Sequence, residues 1–236
     1  MRVIVQARMG STRLPGKILA PFAGQPLLWH VVRRLEMAGT WVGQPWEVFV
    51  ATTEEPADDL TCQWCEHHNV PVLRGEAEDV LGRFVMASED LAEDDTILRA
   101  TADNPLYCPR RTAGIVAAHL KAGVEYTCIR DLSYVVPEVV QVGALRRMAA
   151  KATSPEYREH VTPFFRRPPN GFRTQELPPG WQGLRGKTRL TVDTAEELSR
   201  MQSLFNACSR RGLLFSLEEA YDYVDEHEAG KLARVA

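Results

Sequence analysis

The sequence predicts an α/β protein: a three-layer, Rossmann-like fold with a mostly parallel sheet and a small inserted lobe. Three observations carry that expectation. Short apolar runs alternate with helix-period segments through the first two thirds of the 236 residues, the signature of crossover units that build parallel sheets. The rhythm breaks from about Asp131 to Lys187, where Pro137, Pro163, Pro168, Pro169, Pro178 and Pro179 interrupt any long helix. It then resumes with one more apolar run and a capped helix.

Taken in order, strands are expected at Val3–Gln6, Glu47–Ala51, Pro71–Leu73, Thr96–Arg99 and Tyr126–Ile129. Helices are expected between them at Pro26–Met37, Ala57–His68, Asp79–Leu91 and Arg110–Lys121. Beyond the lobe, Lys187–Val192 reads as a strand, and Thr194 with Glu197 forms a capping box that opens a helix. Ser216 with Glu219 forms a second one. The whole reads as a single domain over residues 1–236 with the lobe at about 131–187, a length that suits one large core.

Bulk properties exclude several classes. A formal net charge of −3 disfavours a protein that grips nucleic acid or an anionic membrane over a broad basic face. No stretch reaches the roughly 18 consecutive apolar residues of a membrane span, and Met1-Arg2-Val3-Ile4-Val5 shows no signal-peptide pattern. A cytoplasmic protein is expected, and five cysteines, an odd number, fit a reducing compartment.

The most informative segment follows the first strand: Gln6-Ala7-Arg8-Met9-Gly10-Ser11-Thr12-Arg13-Leu14-Pro15-Gly16-Lys17. Glycines, small hydroxyl residues and the cations Arg8, Arg13 and Lys17 supply the exposed amides and fixed charge that a triphosphate requires. It is not a Walker A loop, because Gly10 and Gly16 enclose five residues rather than four and Ile18 stands where the magnesium-ligating hydroxyl belongs. A surface turn with solvated charges is the plain alternative. Sheets of this kind bind ligands beyond the carboxyl ends of their strands. Asp103 and Asp193 each follow a strand-like run and suit a magnesium site, since that ion is commonly held by one or two carboxylates with phosphate and water oxygens. Both also have ordinary explanations, Asp103 in a turn before Pro105 and Asp193 beside an N-cap.

The run from Gln6 to Lys17 resembles the opening motif of sugar-acid cytidylyltransferases, including those acting on ketodeoxyoctonate and acylneuraminate, and especially their spore-coat polysaccharide branch. The likeness continues in family order through Arg74-Gly75-Glu76, Asp79-Val80-Leu81-Gly82-Arg83-Phe84, Arg99-Ala100-Thr101-Ala102-Asp103-Asn104-Pro105-Leu106, Arg158-Glu159-His160-Val161-Thr162-Pro163 and Arg189-Leu190-Thr191-Val192-Asp193-Thr194. It implies a sheet of the nucleotide-diphospho-sugar transferase (GT-A-like) type. It also implies transfer of CMP from CTP to an acidic sugar or similar acceptor, with release of pyrophosphate, in surface polysaccharide or related biosynthesis. By the same resemblance Ala7, Arg8, Gly10, Ser11, Thr12, Arg13, Lys17 and Arg74 would bind nucleotide, with Arg8, Arg13 and Lys17 stabilising the leaving pyrophosphate. Asp103 and Asp193 would hold Mg²⁺, Glu159 and His160 would meet the acceptor or a subunit partner, and a homodimer is implied, with the lobe as its contact. A salt bridge from Arg74 to Glu76 or Glu78 is the alternative for that residue.

The lobe departs from the family at Pro137-Glu138-Val139-Val140-Gln141-Val142, which lacks the expected glycine and leaves the acceptor open. Two rival functions remain: a nucleotide-sugar glycosyltransferase, whose Asp-x-Asp motif is missing at Ala102-Asp103-Asn104, and a non-catalytic nucleotide-binding protein. Cys62 and Cys65 with His67 and His68 read as a helix with Leu60, Trp64 and Cys65 facing the core rather than as a zinc site. Trp29, Phe84 and Phe205 read as core.

Overall fold

The first strand, β1 (Arg2–Gln6), is buried on both faces, as a run of branched apolar residues at the centre of a parallel sheet must be. Val3 and Val5 enter one hydrophobic core and Ile4 the other, so the strand's period of two feeds two layers at once. The computed structural model describes residues 1–43, 45–167, 170–179 and 190–209, together with Leu217 and Ala220.

Eight further strands follow: β2 (Pro21–Phe22), β3 (Gln25–Pro26), β4 (Glu47–Thr53), β5 (Val72–Gly75), β6 (Thr96–Thr101), β7 (Tyr126–Ile129), β8 (Glu138–Gln141) and β9 (Thr174–Leu177). β2 and β3 form a small hairpin whose turn uses positive φ at Ala23 and Gly24. The other seven make one sheet in the order β5-β4-β1-β6-β8-β7-β9. Every pairing is parallel except those of β8, which runs against both β6 and β7. The chain leaves β1 in one direction toward β4 and β5 and later in the other toward β6. Between β1 and β6, therefore, lies the switch point where such sheets open a ligand crevice.

The helices are α1 (Leu27–Trp41), α2 (Asp59–His67), α3 (Val80–Met86), α4 (Pro109–Ala122), α5 (Val142–Lys151), α6 (Pro155–His160) and α7 (Ala195–Ser209). α1, α4 and α7 pack on the face that receives Val3 and Val5, through Leu28, Val31, Ile115, Val116, Met201 and Leu204. α3 and α5 cover the opposite face through Leu81, Phe84, Leu145 and Met148. The three layers are thus as the periodicity predicts.

Several boundaries differ. The helix expected at Asp79–Leu91 ends at Met86, where Ser88 turns its hydroxyl back onto the carbonyls of Phe84 and Val85 and the chain goes into turns. Of the strand expected at Lys187–Val192, residues 187–189 lie outside the described residues, and Leu190–Val192 are not in a sheet. Their backbone tie to the β6 end runs from Val192 N–H to the Asp103 carbonyl, 2.9 Å. The Ser216–Glu219 box also lies outside the described residues. The proline-rich stretch is not devoid of regular structure: Pro155 and Pro163 sit in the first turns of helical segments, where a missing N–H costs nothing. That stretch supplies β8 and β9 to the main sheet. In α2, Cys65 is buried and Trp64 half-buried as expected, but Leu60 is 53% exposed rather than in the core. Phe84 is buried, while Trp29 is half-buried and Phe205 packs edge-on against Phe22 and His30.

Candidate active site

The loop after β1 is folded on its own backbone. The Met9 carbonyl accepts from the N–H groups of Ser11 and Gly16, both at 2.9 Å, and Gly16 adopts a φ of 73° that a side chain would strain. Asp58, buried behind the loop, accepts from Met9 N–H at 2.8 Å and from the hydroxyls of Thr53 and Thr61. The N–H groups of Arg8, Gly10, Thr12 and Arg13 have no partner among the described residues. A loop braced by a buried carboxylate, with amides left unbonded, can serve as an anion cradle.

Asp103 lies two residues past β6. Its turn is fastened by the buried Tyr107 hydroxyl, which accepts from Thr101 N–H at 2.7 Å and from the Asn104 amide at 3.0 Å. The Val192–Asp103 backbone bond brings the distant segment alongside, and the capping box holds it there. Glu197 accepts from the N–H groups of Asp193 and Thr194 at 2.8 and 3.0 Å, and Thr194 Oγ1 accepts from Glu197 N–H at 3.2 Å.

Lys17 joins the pieces. Its Nζ is 3.3 Å from Asp103 Oδ2, 2.7 Å from Asp193 Oδ1 and 2.9 Å from the Val192 carbonyl. Arg13 reaches the other Asp193 oxygen at 2.9 Å. Partial burial pushes the Asp193 carboxyl upward, but Lys17 and Arg13 more than reverse this, so it titrates below its ordinary value. Without a cation between them, two carboxylates this close would repel each other.

These groups face a cleft of about 370 Å³ lined by Ala7, Arg8, Gly10, Ser11, Thr12, Arg13, Lys17, Asp103, Asp193, Glu159 and His160, with Arg83 and Arg99 also in its wall. Glu159, at the end of α6, lies 3.7 Å from Arg8 across the mouth. The α6 end is positioned from below by Glu138, whose fully buried carboxylate accepts from Tyr126 and Thr162 hydroxyls at 2.7 and 2.6 Å and pairs with Arg166. The divergent 137–142 segment therefore supports the cleft without lining it.

Arg74 is the sequence-predicted site residue that the fold does not bring to the cleft. Its guanidinium is taken up by Asp59 at 2.5 Å and by the carbonyls of Thr53 and Glu55 at 2.9 and 3.0 Å. It braces the segment that carries Asp58, and its carboxylate partner is neither Glu76 nor Glu78. Sequence reasoning missed Asp58, Arg83, Arg99 and Glu138. Arg83 left one signal: it stands three residues after Val80 and next to Phe84, a charge on the buried stripe of α3.

A cytidylyltransferase family model matches residues 2–226, nearly the whole chain. The chain belongs to the cytidylyltransferase family. Among cytidylyltransferase relatives it is 33% identical to the spore coat polysaccharide biosynthesis protein SpsF of Bacillus subtilis over 210 residues, 88% of this chain and 87% of that one. It is 30% identical to the 3-deoxy-manno-octulosonate cytidylyltransferase of Nitrosococcus oceani over 135 residues, 54% of this chain and 49% of that one. A solved cytidylyltransferase from Leptospira borgpetersenii superposes with a TM-score of 0.81 at 28% identity, covering 97% of this chain and 94% of that one. The fold, though no more, is shared at 18% identity with a CMP:2-keto-3-deoxy-manno-octonic acid synthetase solved with CTP, TM-score 0.63, covering 87% and 98%. No helix among the described residues is long and apolar enough to cross a membrane.

Proposed function

We propose that this cytidylyltransferase transfers CMP from CTP to an acidic sugar or similar acceptor and releases pyrophosphate. The observation that carries the reading is the convergence of Lys17, from the first loop, on Asp103 and Asp193 from two remote segments. The kinds of relative support it, one a polysaccharide biosynthesis protein and others sugar-acid cytidylyltransferases.

Two carboxylate oxygens and one carbonyl oxygen surround the Lys17 ammonium, a hard, oxygen-only donor set that suits Mg²⁺. Asp103 and Asp193 would hold that ion, which when bound neutralises charge on phosphate oxygens. The chain's own part is positioning and electrostatics. The free amides of Arg8, Gly10, Thr12 and Arg13 receive the phosphate tail. Arg8, Arg13 and Lys17 stabilise the charge that builds on pyrophosphate as the α–β bridging P–O bond breaks and the acceptor oxygen bonds to the α-phosphorus. The acceptor's proton leaves to solvent. Glu159 and His160, which also line the cleft, would meet the acceptor.

The test is to incubate the protein with each of four nucleoside triphosphates, Mg²⁺ and a panel of acidic sugars and to follow pyrophosphate. Release from CTP that depends on an acceptor is expected. Transfer from a nucleotide sugar without pyrophosphate would mean a glycosyltransferase instead, and binding without turnover a non-catalytic nucleotide-binding protein.

A further inference from the structure

Arg83 is 2% exposed, yet it forms no ion pair with any described residue. One terminal nitrogen is taken by the carbonyls of Glu76 and Ala77. Among the described residues its buried Nε has no partner. Two of the three nearby carboxylates are engaged elsewhere: Asp58 holds Met9 N–H and two hydroxyls, and Asp79 caps α3 through Gly82 N–H and pairs with Arg158; the third, Glu78, makes no ion pair with Arg83. A buried cation left in this condition is costly unless a partner arrives, because a guanidinium cannot shed its charge. Burial first, and the neighbouring Arg8 charge second, lower its pKa against the pull of Asp58, Asp79 and Glu78.

The fold also makes room for this side chain. A Cβ on Gly75, at the end of β5, would stand 2.9 Å from Arg83 Cγ. Arg83 lines the same cleft as Arg8, Val80 and the Lys17–Asp103–Asp193 cluster. We propose that Arg83 is an anion-binding residue of the cleft, donating to the oxygens of a ligand phosphate or carboxylate that arrives beside Arg8. This rests on the proposed cytidylyl transfer for the identity of the ligand, since CTP brings phosphates and an acidic sugar brings a carboxylate, but the binding chemistry stands without turnover.

The test titrates the full chain, as wild type, Arg83→Gln and Arg83→Lys, with tripolyphosphate, CTP, cytidine and 3-deoxy-manno-octulosonate by calorimetry. Losing a charge-assisted contact weakens binding roughly tenfold to a hundredfold. A loss of that size for tripolyphosphate and CTP, with cytidine unchanged, assigns Arg83 to the phosphates; a loss confined to the sugar acid assigns it to the acceptor. Gly75→Ala, which displaces the Arg83 stem without altering charge, is expected to reproduce the loss in a folded protein. If folded Arg83→Gln, or Gly75→Ala and Arg83→Lys where the former does not fold, bind every probe as wild type does, Arg83 merely staples the 76–77 turn and the proposal fails. Should wild type bind these anions but release no pyrophosphate from CTP, the transferase reading falls while Arg83 keeps its role.

Discussion

Lys17 and Asp193 stand 176 residues apart in the chain and 2.7 Å apart in space, and that contact closes the cleft's polar end. Lys17 follows β1, whereas Asp193 hangs from a segment outside the sheet that is tied to Asp103 by one backbone bond and to α7 by a capping box. Substitutions in this cluster separate its structural and chemical parts.

Asp103→Asn and Asp193→Asn are each expected to abolish magnesium-dependent pyrophosphate release while the circular dichroism spectrum stays that of wild type. Both side chains lie at a partly exposed rim, so removing one charge leaves the core intact. Turnover at the wild-type rate in either variant would take that residue out of the mechanism.

Lys17→Ala removes a charge-assisted donor from the proposed phosphate cradle. CTP affinity should fall by about 1.5–3 kcal/mol. A calorimetric titration indistinguishable from wild type would show that Lys17 serves the aspartates alone.

The depressed pKa of Asp193 makes a statement about acid stability. A carboxyl whose folded pKa lies below its ordinary value of 3.8 contributes stability above that value and loses it as pH falls through the folded pKa. Urea unfolding of wild type and Asp193→Asn should therefore differ most above about pH 4 and converge in stronger acid. A difference independent of pH would show that the Lys17 and Arg13 contacts do not act through the ionised form.

Asp58→Ala strips three donors of their buried acceptor and should destabilise the protein by about 1–3 kcal/mol. Because one donor is Met9 N–H, the KM for CTP should rise as well. An effect on the melting temperature with no change in KM would separate Asp58 from the loop. Thr194→Ala, which loses the cap of α7, should cost about 1 kcal/mol by thermal unfolding.

The loop, the two aspartates and the capping box were legible because their chemistry lies in short runs whose residue types state their purpose. The alternation of strands and helices was legible because two-sided burial of Val3, Ile4 and Val5 and the helical stripes leave separate periods. β8 was not, because prolines around it resemble chain breaks and its antiparallel entry depends on partners 40 or so residues away in β6. Arg74 could not be placed, since its capture by Asp59 and two carbonyls is a tertiary event with no local signature. Asp58 has no local signature either, because its donors Met9, Thr53 and Thr61 converge on it only in the fold.

Asp103 and Asp193 are proposed to form one cation site with the phosphate tail of CTP. Calorimetric titration of CTP into wild type and Asp193→Asn, each with Mg²⁺ and with chelator, tests it directly. Mg²⁺ is expected to tighten CTP binding to wild type, and this increment to disappear in Asp193→Asn. An equal increment in both proteins would contradict it.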